Sequence, residues 1–291
     1  SQQPEILSYL RDVVRRAGAR PHSRFDTEAE KLESDEALAS WKVTARSADG
    51  TTHVEHFNFV ITAMGLLNRP SIPDFKGIDI FKGQIIHSAA WKKDVSLEGK
   101  RVALIGTGAS AFQIGPEIYS QVAQLKVFQR NPPWMLPTPT YHDDLKPGLR
   151  WLLDHVPTYG RWVRFWQFWI GVEGRLHLVE LDPQWQHEVS ISAGNEALRQ
   201  ECLATLKQQF ADRPDLLPHV TPNYPPGAKR MLRDNGTWPQ MLKAHNVDLV
   251  VQEISHLSEN AIHTKDGQRH EVDLIICATG FKAADFLYPP Q

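Results

Sequence analysis

Apolar residues recur at three- and four-residue spacing at Ile6, Leu7, Leu10, Val13, Val14 and Ala17, and Gly18 follows them. That spacing predicts a helix over Pro4–Ala17 with a glycine stop. Residues Trp41–Arg46 and Val54–Thr62 alternate apolar with polar, which predicts two strands, and Asp49-Gly50 between them is a hairpin signal. The stretch from Leu66 to Leu97 is broken by Pro70, Pro73, Gly77 and Gly83 and has the character of a connector. A new unit then begins. Lys100–Ile105 forms a short apolar strand, Gly106–Ala111 a glycine turn, Ala111–Val122 a helix and Leu125–Gln129 a second strand, which together make a β-α-β unit. From Tyr141 to about Asp215 the pattern is helical, carries no strand signal, and includes Trp151, Trp162, Trp166, Trp169 and Trp185. By default such tryptophans are helix core, with a substrate-facing role unassigned to any one of them. Strands are predicted again at Asp248–Gln252, Ala261–Thr264 and Glu271–Cys277, with Asp266-Gly267 as a turn.

Composition narrows the function classes. The 291 residues are 41% hydrophobic and 23% charged, ordinary for a globular α/β chain. Lys and Arg total 32 against 34 Asp and Glu, so the net charge of −2 offers no field for nucleic acid or an anionic membrane. A small molecule is the expected partner. Phe165–Val172, the most apolar stretch, lies among Arg161, Arg164 and Arg175 and is far shorter than the ~20 residues of a membrane helix. The two cysteines, Cys202 and Cys277, form no CxxC pair and suggest neither a disulfide framework nor a zinc site, so a cytoplasmic location is expected.

The chemistry is concentrated at Gly106-Thr107-Gly108-Ala109-Ser110-Ala111, a GxGxxA turn that follows a strand and opens a helix. The first glycine permits a tight turn, the second lets a pyrophosphate approach the backbone, and Ala111 lets helix pack on strand. The helix N-terminus adds unpaired N–H groups and partial positive charge. A tight turn without a ligand is the bland alternative. NAD sites usually carry Asp or Glu at the end of the second strand, ~20 residues on, to bind the ribose 2′-hydroxyl. Arg130 stands there instead. A guanidinium can accept a 2′-phosphate that a carboxylate would repel, so NADPH is favoured over NADH.

Upstream, Phe81, Gly83, His87 and Trp91 spell FxGxxxHxxxW. This string resembles the fingerprint of Baeyer–Villiger monooxygenases. Val127–Trp134 (VFQRNPPW), Tyr224–Arg230 (YPPGAKR) and Asp273–Phe281 (DLIICATGF) are similar to further segments of that family, closest to its 4-hydroxyacetophenone monooxygenase-like branch. Lys92 after Trp91, Asn131 after Arg130, and Met64 in Ala63-Met64-Gly65 depart from the usual pattern. The resemblance implies a two-dinucleotide-binding-domain flavoprotein with a complete NADP-binding Rossmann-like domain and an incomplete FAD-binding domain. The implied spans are 1–70 for the remainder of the FAD domain, 71–140 and 223–272 for the NADP domain, 141–222 for a helical insertion, and 273–291 for the return to the FAD domain.

Carried across, the resemblance implies cofactor contacts at Gly106, Thr107, Gly108, Ala109, Ser110, Ala111, Phe112 and Gln113, with Arg130 and Asn131 at the 2′-phosphate. It sets Lys229 and Arg230 on the nicotinamide side and, more weakly, Ala29 beside the FAD adenine. Arg230 is the implied catalytic residue, stabilising a C4a-peroxyflavin formed from reduced FAD and O₂ before it attacks a ketone to give an ester or lactone. His87 is expected to orient the linker without transferring a proton in the bond-making step. One glycine fingerprint is present where such a flavoprotein needs two, so the FAD loop is expected upstream of Ser1. Two other readings remain open: an N- or S-oxidising flavin-containing monooxygenase, and a non-catalytic NADPH-binding module.

Overall fold

A computed structural model describes residues 3–92, 94–141 and 143–283. The chain divides into two compact units, the larger spanning Pro70–Gly280 and the smaller built from the segment before it with the residues from Phe281 on. The smaller unit opens with α1 (Gln3–Arg16), which ends near the predicted glycine stop, where Gly18 takes a φ of +59°. An antiparallel meander follows, made of β1 (Thr27–Asp35), β2 (Ser40–Ser47) and β3 (Thr52–Phe57). Gly50 makes the turn between β2 and β3 at a φ of +88°, as the Asp49-Gly50 pair predicts.

This unit adds one strand to those expected and shortens another. β1 carries Glu28, Glu30, Lys31 and Glu33, so its sequence shows no apolar stripe, and it is a strand because β2 pairs with it from Thr27↔Ser47 to Asp35↔Ser40. β3 ends at Phe57, short of Thr62, and Phe59 and Ile61 beyond it are exposed.

The larger unit is built on a five-stranded sheet in the order β4-β13-β5-β6-β9, parallel throughout. Its strands are β4 (Gln84–His87), β5 (Arg101–Ile105), β6 (Gln124–Phe128), β9 (Val247–Val250) and β13 (Leu274–Cys277). Helix α2 (Ala109–Ile118) crosses from β5 to β6. Both faces of the sheet are covered, so its strands read as continuous apolar runs. Leu104, Leu125, Leu274 and Ile276 face one core, shared with α2 and with α7 (Thr237–Leu242). Ala103, Ile105, Ile275 and Cys277 face the other, against Leu257 and Ile262. Those two lie in an antiparallel meander of β10 (Ile254–Ser258), β11 (Ala261–Thr264) and β12 (Arg269–Glu271). Each fully buried aliphatic side chain contributes about 1.5–3 kcal/mol of burial free energy.

The run predicted as one strand from Glu271 to Cys277 is two, because Val272-Asp273 turns the chain from the meander into the parallel sheet. There the Asp273 carboxylate accepts from the Arg101 backbone N–H at 2.8 Å and from its guanidinium. β13 then runs through the middle of the larger unit's sheet, between β4 and β5. The return to another unit expected from position 273 therefore begins after Gly280, and positions 284–291 of that span lie outside the described residues.

Between β6 and β9 the chain leaves the sheet along β7 (Met135–Pro137) and returns along β8 (Leu232–Asp234), paired in parallel from Met135↔Leu232. The segment they bracket holds α3 (Pro147–His155), α4 (Tyr159–Gly171), α5 (Ala193–Gln209) and α6 (Leu217–Val220). Helix α5 is anchored by Leu198, Cys202 and Leu206, all buried. The tryptophans of α3 and α4 are not helix core. Trp151, Trp162, Trp166 and Trp169 are all exposed, and no residue of either helix is buried.

Candidate functional site

The strands of the larger sheet run in one direction, so the residues that follow them gather at its carboxyl edge, where ligands of open α/β sheets bind. His87 ends β4, Gly106 follows β5, and Gln129-Arg130 follows β6. Backbone bonds from Gly106 N–H to Phe128 O at 2.9 Å and from Ala278 N–H to Ile105 O at 2.9 Å carry the ladder past the strand ends.

The glycine turn has the geometry its sequence predicts. Gly106 sits at φ +106°, and a Cβ there would stand 2.6 Å from the Ala278 carbonyl oxygen, so no larger residue fits. Gly108 is the N-cap of α2 and has no side-chain cap. A Cβ on Gly108 would meet nothing within 4 Å, which leaves open space over the first amides of the helix. The residues fit a dinucleotide pyrophosphate. Ser110 lies on the first turn of α2, half-buried, and Gln113 is exposed, its Nε2 donating to Ala109 O at 2.9 Å. Ala111 is fully buried against the sheet, as its packing role requires.

Phe112 is a correction to the list of cofactor contacts. Its ring stacks on Trp238 with centroids 4.9 Å apart, in the core, and its amide donates to Gly108 O at 2.9 Å. Neither group is left for a ligand.

Thr107 ties the glycine turn to the next strand end, its Oγ1 donating to Asn131 O at 3.0 Å. Arg130 and Asn131 are exposed there, and the Arg130 guanidinium makes no ion pair among the described residues. The following residues lock onto the Tyr224–Arg230 segment. Trp134, only 1% exposed, donates its Nε1–H to Tyr224 O at 2.7 Å, and the Tyr224 hydroxyl donates to Pro132 O at 2.8 Å. Burial raises the Tyr224 hydroxyl above its ordinary range. Lys229 Nζ lies 4.4 Å from the centre of the Tyr224 ring, a cation–π contact. Lys229 and Arg230 are exposed and unpaired by any carboxylate among the described residues.

The structure thus brings together Thr107, Gly108, Arg130, Asn131 and, through Tyr224, Lys229. His87 stands apart at β4, separated from β5 by β13. It is 2% exposed, its Nδ1 accepts from the Ala89 N–H at 3.1 Å, and its Nε2 lies 3.0 Å from the Gly280 carbonyl oxygen. Nδ1 is therefore the acceptor and Nε2 carries the proton. Ala29 belongs to the smaller unit, exposed on β1 opposite Ala45. That unit's described residues are α1, a short 3₁₀ turn and the meander, with no strand–glycine–helix turn that would hold a second pyrophosphate.

Sequence reasoning missed the buried polar partners of this cluster. Gln129, 5% exposed, donates from Nε2 to His219 O at 2.6 Å. Asn195, 0% exposed, reaches Pro226 O at 2.9 Å. Gln129 lies within VFQRNPPW but is no candidate site residue there, Asn195 lies in no motif, and only three-dimensional proximity marks the roles of both. Both cysteines are buried, which pushes each thiol up to about 11, too high to supply a thiolate at neutral pH. No helix among the described residues is long and apolar enough to cross a membrane.

Comparison with known proteins agrees with this geometry. The flavin-binding monooxygenase-like family matches residues 2–143. An uncharacterised monooxygenase of Sinorhizobium fredii is 36% identical over 99% of this chain and 44% of its own length. A Baeyer–Villiger monooxygenase of Pseudomonas aeruginosa is 34% identical over 98% of this chain and 51% of its own. The chain spans about half the length of these curated relatives. Among solved structures, cyclohexanone monooxygenase from Rhodococcus sp. Phi1 bound to NADP+ superposes with a TM-score of 0.79 at 28% identity. That match covers 98% of this chain and 57% of the other.

Proposed function

This chain belongs to the flavin-binding monooxygenase-like proteins, and from that premise we propose that it forms the NADPH-binding part of a Baeyer–Villiger monooxygenase. Such an enzyme uses NADPH, FAD and O₂ to insert one oxygen atom into a ketone, giving an ester or lactone. The observation that carries the reading is the convergence of the uncapped N-terminus of α2, the unpaired Arg130 and Lys229 at one edge of the sheet.

The chain's own residues divide the work of holding NADPH. The amides at the start of α2 receive the pyrophosphate over Gly108, where no side chain intrudes. Arg130 receives the 2′-phosphate. Lys229 joins it there, a revision of its expected place beside the nicotinamide, because its Tyr224 platform is bonded to Pro132, two residues after Arg130. Arg230, the next residue, keeps an uncommitted guanidinium for negative charge that develops on oxygen. FAD supplies the oxygen activation when bound in the whole enzyme. His87 holds the end of β4 to Gly280 and acts as a positioning residue without donating a proton to substrate.

Two measurements test this. Titration of the chain with NADPH and with NADH, followed by tryptophan fluorescence, is expected to show clear preference for NADPH; equal affinity for the two overturns the nucleotide assignment. For the reaction, product analysis of the full-length enzyme is expected to give an ester from a ketone. The breadth of the matched family favours one second reading, oxidation of nitrogen or sulfur. Sulfoxide or N-oxide without ester would establish that reading and displace the first.

A further inference from the structure

The turn that leads into Lys229-Arg230 is held from an unexpected direction. Ala228 N–H donates to Pro225 O at 3.1 Å, closing a four-residue turn whose third residue, Gly227, has a φ of +88°. Proline second and a left-handed glycine third define a type II turn. In that turn the peptide between Pro226 and Gly227 is flipped relative to type I, so the Pro226 carbonyl points away from the turn and needs a donor of its own. Pro226 is buried and water cannot serve.

Asn195 supplies the donor. It lies in the first turn of α5, where Ser192 caps the helix by accepting from the Asn195 N–H at 3.2 Å. Its Nδ2 donates to Pro226 O at 2.9 Å and to Leu178 O at 2.7 Å, and its Oδ1 accepts from Ile191 N–H at 3.4 Å. Both N–H donors and the oxygen of the amide are engaged, and the residue is 0% exposed. Val179, beside Leu178, closes the other side: a Cβ on Gly227 would stand 2.6 Å from its Cγ1.

We propose that Asn195 is a positioning residue for the nucleotide site. By capturing the Pro226 carbonyl it fixes the type II turn and so the direction in which Lys229 is presented to the 2′-phosphate. The inference rests on the NADPH reading above. It also makes α5 part of the nucleotide site, although none of that helix's residues need touch the nucleotide.

The test compares Asn195→Ala, Lys229→Ala and the double variant of this chain, with NADPH and NADH titrated by tryptophan fluorescence. Loss of the one donor that Pro226 O has among the described residues is expected to weaken NADPH binding about tenfold in Asn195→Ala. NADH affinity should stay unchanged, and the double variant should bind NADPH no worse than Lys229→Ala alone. Equal losses for both nucleotides, or additive losses in the double variant, overturn the proposal. Asn195→Ser, which keeps one donor, carries the same comparison if the alanine variant does not fold. Trypsin cleavage after Lys229 and Arg230 provides a readout without nucleotide. Faster cleavage there in the Asn195 variant, with the rest of the digest unchanged, supports the positioning role, and unchanged cleavage overturns it. If the wild-type chain shows no preference for NADPH, the nucleotide reading fails, and the digest still decides whether Asn195 sets the turn.

Discussion

Trp134 and Tyr224 clasp two separate segments by exchanging hydrogen bonds: Trp134 Nε1 donates to Tyr224 O at 2.7 Å, and Tyr224 Oη donates to Pro132 O at 2.8 Å. The rings meet edge to face with centroids 6.5 Å apart. One segment carries Arg130 and the other Lys229, so the clasp sets the separation of the two cations. Tyr224→Phe removes one bond and is expected to cost about 1 kcal/mol of stability, whereas Trp134→Ala opens the core and is expected to cost about 3–5 kcal/mol. Chemical denaturation of each variant reads these losses. A Tyr224→Phe loss as large as the Trp134→Ala loss would mean that the packing is not what the clasp depends on.

Arg130→Ala and Lys229→Ala are each expected to weaken NADPH binding by about ten- to a hundredfold, the worth of a charge-assisted phosphate contact. NADH lacks the 2′-phosphate, so its affinity should barely change. Isothermal titration with both nucleotides separates the outcomes. A loss shared equally by NADH would remove both residues from the 2′-phosphate.

How far the sequence disclosed this arrangement can be judged element by element. The β-α-β unit around Gly106 was legible because strand, glycine turn and helix are contiguous and each follows local rules. The hairpins at Gly50 and Gly267 were legible for the same reason, both glycines having positive φ. β1 was not, since its glutamates show no apolar stripe and only pairing with β2 makes it a strand. β4 lies inside the stretch that reads as a connector, because Gln84–His87 is too short to declare itself and depends on β13, nearly 200 positions away, for its partner. The site follows the same division. Arg130 can be placed by counting from the glycine turn, whereas the link between Lys229 and the Arg130 segment runs through Tyr224 and Pro132, a contact across more than 90 positions that no local pattern shows.

At the opposite edge of the sheet, Arg101 and Asp273 form a pH-sensitive lock. Hydrogen bonding from the Arg101 side chain holds the Asp273 carboxyl below its ordinary 3.8, against the opposing effect of burial. A carboxylate whose folded value is depressed stabilises the fold above its unfolded value, and that contribution disappears as pH falls through the folded value. Thermal melting of the wild type is therefore expected to lose an increment as pH drops from about 5 towards 2, the interval that brackets a lowered aspartate. Asp273→Asn should start from a lower melting temperature at neutral pH and lack that increment of acid sensitivity. Both side chains are about a third exposed, 35% and 38%, so the increment should be modest. Parallel acid profiles for wild type and variant would show that the lock does not contribute.

The two glycines of the turn offer the same substitution with opposite consequences. At Gly106 the backbone is left-handed and an added Cβ would stand 2.6 Å from the carbonyl oxygen of Ala278, which directly follows β13 and is tied to β5 by its N–H bond to Ile105 O. Gly106→Ala is therefore expected to destabilise the fold by about 2–4 kcal/mol, from conformational strain and the clash together. At Gly108 φ is −78° and an added Cβ would meet nothing within 4 Å, so the protein itself tolerates alanine. The methyl would instead occupy the space over the first amides of α2 that the pyrophosphate needs. Gly108→Ala should melt within about 1 kcal/mol of wild type yet lose NADPH affinity by about tenfold or more. Denaturation and nucleotide titration of the two variants check both arms at once. A Gly108→Ala chain that binds NADPH as tightly as wild type would show that the open space above the helix is not where the pyrophosphate lies.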